Sequence, residues 1–347
     1  MNSSKWALAL IAIVSFAGIA TAIGTWLYVD GQKLRVGYVR GDMNHAALIY
    51  AKAQGLYYNA GLDMKLVSYA SEKAIMDALD AGALDMALVG LAAAVSHRQA
   101  RGTDITALAA ASVNGSAIVV LANSSINTVA DLAGKTIAIP AVGLTQDLLL
   151  HAMLNGSGVK YGGATNQTDD VTITINDPAP MLEALNKSNV DAIVAWEALA
   201  ATAVHNVEHG SFGYPGRYLA NSSDTWPNHP SSVIVARSAL LATPAWAGII
   251  TRFLHVHVMA TNAINAGKLE NPATSAFYIT MERAMSIGEG DLVLSLKNTG
   301  FVYQPSIPRA RSFIGNMTAF GLIGAMDVDA FLGVFFNTTL LDRALLL

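Results

Sequence analysis

Three short stretches share one design, a strand end, a glycine and the start of a helix: GDMNHA (41–46), GLAAAV (90–95) and AVGLTQD (141–147). Glycine lets backbone approach a bound molecule closely, and the unpaired N–H groups that open a helix suit an anionic oxygen. Gly90, Leu91, Gly143 and Leu144 are the positions that would present such amides, with Thr145 as N-cap or hydroxyl donor. Arg40, Asp42, Asn44, His45 and His229 stand around these loops, and the buried-looking run DAIVAWE (191–197) ends on Trp196 and Glu197. Arg40 is suited to fork onto a sulfonate or carboxylate, Glu197 to accept an ammonium or exocyclic amine, and Trp196 to wall a small-ligand pocket. Together they fit a zwitterion or an amino-heterocycle. Each also has a plain reading: ordinary strand-to-helix turns, an Arg40–Asp42 pair across a solvated turn, a tryptophan sealing a core.

Other chemistry fails on spacing or on residue supply. His255 and His257 sit two apart in a helical stretch, about 200° around the wheel, and cannot share one metal. His205 and His209 could share a face, but no third ligand accompanies them, and Asp169 and Asp170 lie in a polar loop that favours water. The chain has no cysteine, which removes disulfides, thiolate metal sites, thiol nucleophiles and a lipid-modified cysteine anchor. No G-x-S-x-G, H-E-x-x-H, Walker A or G-x-G-x-x-G phrase occurs. No catalytic residue, metal or cofactor is therefore expected. A net charge of −4, with only 13% charged residues and no long run of one sign, gives nucleic acid nothing to recognise.

The elements that must position these residues alternate. LRVGYV (34–39), DMKLVSY (63–69), DMALVG (85–90) and DITALAAAS (104–112) read as strands, separated by helical runs at 46–61, 72–82 and 91–102. A second cycle follows, with strands at 116–123, 135–140, 171–175 and 191–197 and helices at 145–156 and 179–188. The stretches GSFGYPGRY and NSSDTWPNHP read as turns; a return strand at 231–238 then leads into a helical region from Pro244 onward. Alternation of this kind predicts an α/β architecture of mostly parallel sheets with helices on both faces, and 347 residues suggest two lobes.

Trp6 to Tyr28 is an uncharged apolar run of 23 residues, about 34 Å long as a helix. It is expected to be a membrane anchor or, because ATA (20–22) fits a cleavage pattern, a signal peptide. Asn-x-Ser/Thr occurs at 9 of 20 asparagines, Asn2, Asn114, Asn123, Asn155, Asn166, Asn186, Asn221, Asn316 and Asn337, where about 3 are expected by chance. This excess points to a glycosylated body outside the cell, anchored to the outer face of the membrane or secreted.

Four phrases, LRVGYVRGDMNHAALIYAKAQGLYYNAGLDMKLV (34–67), AIMDALDAGALDMALVG (74–90), TVADLAGKTIAIPAVGLTQDLLL (128–150) and PMLEALNKSNVDAIVAWEAL (180–199), resemble the periplasmic-type solute-binding proteins of ABC importers. Within these the likeness is to the nitrate, taurine and alkanesulfonate group, which also holds thiamine-pyrimidine precursor binders. The resemblance runs from residue 34 to the C-terminus. It implies a two-lobed type II periplasmic-binding-protein fold, with 34–122 plus 230–347 as one lobe, 123–229 as the other, and two hinge crossings. It also implies capture of a small anionic or zwitterionic solute by a monomer that delivers it to a partner permease and ATPase. The sequence departs from the group at Ala198, where proline is common after tryptophan-glutamate, and at AVGLT, where a glycine-serine phrase is commoner. A pyrimidine synthase of this kind needs a cysteine-rich motif that this chain lacks. A sensor ectodomain or surface-layer protein is the rival of another class; the sensor reading expects a second span beyond LLDRALLL.

Overall fold

Leu34, Val36 and Val39 are buried along the first strand, Leu34–Val39 (β1), as a strand covered on both faces requires. In this computed structural model residues 33–162, 170–205 and 215–347 are described. The expected segment 1–30 lies outside them, as do Asp169 and His209. No helix among the described residues is long and apolar enough to cross a membrane.

Five strands form the first sheet: β1, Met64–Tyr69 (β2), Met86–Gly90 (β3), Ile105–Ala110 (β4) and Ser232–Arg237 (β11), ordered β2-β1-β3-β11-β4. The second contains Ser116–Leu121 (β6), Thr136–Ile139 (β7), Thr172–Ile175 (β8), Ala192–Trp196 (β9) and Gly216–Asn221 (β10), ordered β10-β6-β9-β7-β8. In each sheet four strands run one way and one runs against them, β11 in the first and β6 in the second. Those two are the strands that follow a crossing between lobes. A short antiparallel ribbon of Ser112–Asn114 (β5) and Thr299–Phe301 (β12) flanks the first crossing. Separate apolar cores cover each face of each sheet, and both cores of the first sheet take in residues of the second lobe: Ala198 in one, and in the other Leu148 and Trp196, which pack with Val39, Leu91 and Phe313.

Several boundaries differ from expectation for local reasons. The helix expected over 46–61 is split into Ala46–Ala53 and Leu56–Asn59 because Gly55 turns left-handed at φ +68°. The stretch read as turns before Asn221 contains β10, an edge strand that pairs antiparallel with β6. Gly216 opens it where a Cβ would lie 2.8 Å from the carbonyl oxygen of Ala203, so that turn-type residue is required by close packing, not by a turn. β6, which the expected limits 34–122 group with the first lobe, hydrogen-bonds within the second sheet, so the first crossing falls near Gly115. At Gly115, with φ +78°, a Cβ would stand 2.9 Å from both Asn44 Oδ1 and Thr299 Oγ1.

Candidate functional site

In open α/β sheets the ends of parallel strands leave helix-start amides and loops facing a crevice. Here both sheets aim those ends at one another. The loops after β1, β2 and β3 and the start of β11 form one wall; the loops after β7 and β8 and the end of β9 form the other. They enclose a cavity of about 230 Å³. Of the residues singled out from sequence, Asp42, Asn44, Gly90, Gly143, Leu144, Thr145 and Trp196 line it. Trp196, 9% exposed, lines it from the end of β9.

The remaining five lie elsewhere. Arg40 is exposed and donates to Ser68 Oγ at 3.2 Å. His45 is buried behind the wall: its Nδ1 accepts from the Val39 amide at 3.1 Å, which leaves the proton on Nε2, 3.3 Å from Ser232 Oγ. Burial lowers its pKa to about 3, so it is neutral. Leu91 is wholly inside the core. His229 is buried, bonded through Nδ1 to its neighbour's carbonyl at Pro230, with its pKa lowered to about 4 by burial. Glu197 is 0% exposed; its carboxylate accepts from Asn298 Nδ2 at 2.8 Å, Tyr218 Oη at 3.0 Å and the Ala201 amide at 3.1 Å. It ties the end of β9 to β10 and to the end of the Glu289–Asn298 helix, close to the first crossing. The Glu197–Ala198 peptide is cis. Ala344 holds His255 through its carbonyl and Ala110 holds His257, at 2.9 Å each, the latter with its pKa lowered to about 4 by burial.

Sequence reasoning missed the second ring of the cavity: Ser71, Glu72 and Lys73 after β2, Ser96 and His97, Gln146, Asp177, and Ser231 and Ser232. The signal was available for Glu72 and Asp177, since both follow strands with the same strand-to-helix design but without its glycine.

The amides at the three glycine loops are largely spoken for. Asp42, 6% exposed, accepts the Asn44 amide and Asn44 Nδ2 on Oδ1, each at 2.9 Å. Glu72 accepts the Gly90 amide at 2.5 Å, and a Cβ on Gly90 would lie 2.6 Å from that carboxylate. Glycine is therefore needed at 90 to admit the chain's own acid. Asp147, wholly buried, accepts the Gly143 amide at 2.8 Å and the Tyr161 hydroxyl at 2.7 Å. Burial raises Asp42 to about 7, and raises Glu72 to about 7 with a further push from the Asp42 charge. What remains open is the start of the Thr145–Gly156 helix, whose first-turn amides have no acceptor within the helix. Thr145, 3% exposed, has no partner for its hydroxyl there.

Two five-stranded α/β lobes, joined by two crossings and closed around a cavity at their facing strand ends, define a periplasmic-binding-protein fold of the two-lobed kind. The fold matches the nitrate-binding protein NrtA of Synechocystis with a TM-score of 0.74, at 16% identity over 90% of this chain and 88% of that one. It matches the alkanesulfonate-binding protein SsuA of Xanthomonas axonopodis, solved with MOPS, with a TM-score of 0.70, at 20% identity over 88% and 98%. A profile of the NMT1/THI5-like family matches residues 42–264, and the chain belongs to that family. A Brucella abortus protein provisionally named a binding protein is 28% identical over 215 residues, 61% of this chain and 61% of that protein's own length.

Proposed function

We propose that this chain is the extracytoplasmic solute receptor of an ABC import system, a monomer that closes on a small solute and presents it to a permease. The observation that carries the reading is the cavity itself, walled by both lobes and too small for anything but a small molecule. The solute touches both walls only in the closed form, so its binding energy differs between open and closed states and shifts their populations. The start of the Thr145–Gly156 helix and the Thr145 hydroxyl form an anion-accepting end, consistent with an anionic or zwitterionic solute of the sulfonate, nitrate or taurine type. The family and the alkanesulfonate- and nitrate-binding structural neighbours support the same class. An N-terminal anchor or cleaved leader would hold or release the receptor on the outer side of the membrane.

The test follows small-angle scattering and tryptophan fluorescence while nitrate, alkanesulfonates, taurine and aminopyrimidines are added to the purified protein. A binding solute reduces the radius of gyration, and Trp196→Ala weakens its affinity while the far-ultraviolet spectrum stays unchanged. Saturable binding without compaction, or binding indifferent to Trp196, refutes the reading.

A further inference from the structure

The first-lobe wall of the cavity holds two acids and no free base. Asp42 and Glu72 both face the cavity, and every hydrogen bond they accept comes from a neutral donor: the Asn44 amide and Nδ2 for Asp42, the Gly90 amide for Glu72. The cationic groups nearby are committed or uncharged. Lys73, the lysine at the cavity rim, is exposed and bonded to Asp77 at 2.6 Å. His45 Nε2 stands 3.9 Å from Asp42 Oδ2, but the ring is buried and neutral. His97, at the rim, is half-buried, and burial lowers its pKa further. Neutral donors alone stabilise a buried carboxylate poorly; a cation seated against it relieves the desolvation cost. The opposite wall, by contrast, keeps an unsatisfied hydroxyl at a helix start. The second wall also carries Asp177, so the acids of the cavity are Asp42 and Glu72 on one side and Asp177 on the other.

We propose that Asp42 and Glu72 form a subsite for the ammonium or amidine-type amine of the solute, which selects an amine-bearing molecule against plain anions such as nitrate and simple alkanesulfonates. This rests on the interlobe cavity being the solute site. It also reassigns the amine-accepting role: Glu197 has its oxygens occupied by Asn298, Tyr218 and Ala201, whereas Asp42 and Glu72 face the cavity. Raised pKa values at both acids agree with a wall that lacks its counter-charge.

The experiment uses matched pairs differing only by an amine: taurine and ethanesulfonate, β-alanine and propionate, 4-aminopyrimidine and pyrimidine. Each is titrated calorimetrically into the wild-type protein and into Glu72→Gln and Asp42→Asn. At least one aminated member is expected to bind tenfold or more tightly than its partner, with the ratio falling toward one in either variant. Two variants are used so that misfolding of one leaves the other to decide. Equal affinity within every pair, no binding by any aminated member, or an undiminished ratio in both folded variants overturns the inference. Binding of ethanesulfonate or nitrate that compacts the protein in that case leaves the receptor reading standing, whereas absence of any ligand-linked compaction removes both.

Discussion

Replacing Glu197 separates a structural joint from a ligand contact. The side chain is fully buried, and its oxygens accept hydrogen bonds from Asn298 Nδ2, Tyr218 Oη and the Ala201 amide, at 2.8, 3.0 and 3.1 Å. Its main chain adds three bonds at the same place: its amide donates to the Gly115 carbonyl, the Met43 amide donates to its carbonyl, and the next amide, Ala198, donates to Gly41. Glu197→Ala keeps the main-chain bonds and strands the three donors. Burial raises the Glu197 pKa against these bonds, so no full charge is counted for it; each buried donor left without a partner costs about 1–3 kcal/mol, and the costs are not additive. Taking about 4 kcal/mol, and about 2–4 °C of melting temperature per kcal/mol for a body of this size, the variant should melt about 8–16 °C lower by calorimetry. Glu197→Gln, which keeps one acceptor oxygen, should recover part of that loss. Solute affinity below the melting transition should be nearly unchanged in both, because the carboxylate is absent from the cavity lining. A Glu197→Ala protein with wild-type melting and a tenfold loss of affinity would refute the assignment.

Three further expectations follow from the geometry. His151 of the second lobe stacks on Phe320 of the first at 5.0 Å between centroids, so Phe320→Ala removes a contact made across the cleft; affinity for any closing solute should fall a few-fold through a smaller closed population, without change in apo secondary structure. Glu72 and Asp42 are raised to about 7 from ordinary carboxyl values, so the folded state holds protons the unfolded state has lost, and apo stability contributed by these acids declines as pH rises from about 4 to 7. Glu72→Gln should therefore be more stable than wild type at pH 8, by on the order of 1–3 kcal/mol in urea titrations, while taurine affinity of the wild type rises from pH 6 to 8 as the acids ionise. A higher affinity at pH 6 than at pH 8 would contradict this sign. Among the Asn-x-Ser/Thr sites, Asn123 and Asn155 are exposed, whereas Asn114 accepts the Asn228 amide at φ +61° and Asn221 caps a helix; glycopeptide mass spectrometry of protein from its own source should find sugar at the first two and not at Asn114.

The order of strands and helices was legible because each lobe writes its core as apolar runs of strand length separated by amphipathic helices. DMALVG and DAIVAWE could be placed as buried strands from composition alone, and both are wholly covered along β3 and β9. Less legible were elements whose signals have two meanings. The Pro215–Gly216 pair reads as a turn, yet Gly216 is small because the carbonyl of Ala203 lies against it, and a strand begins there. Gly55 inside an apolar helical stripe reads as a tolerated interruption, but its left-handed backbone ends one helix and starts another. Parallel pairing, sheet order and the reversed sense of β6 and β11 depend on contacts between residues far apart in sequence, which periodicity does not record.

The site shows the same division more sharply. The strand-glycine-helix design located the cleft, because it is a local feature and local features survive in sequence. What those amides bind is not local. Gly90 meets a carboxylate from eighteen residues upstream, while Gly143 and Asn44 meet acids four and two residues away in their own loops. An acid two to four residues from a glycine can be read as a self-cap in advance; the Glu72–Gly90 bond requires β2 to lie beside β1 and β1 beside β3, and so follows only from sheet order. Once that bond exists the Gly90 amide is taken and the wall presents a carboxylate in its place. In the proposed reading, a single glutamate at the start of the helix after the second strand is enough to turn this part of the cavity toward amines while the glycine loop keeps its backbone.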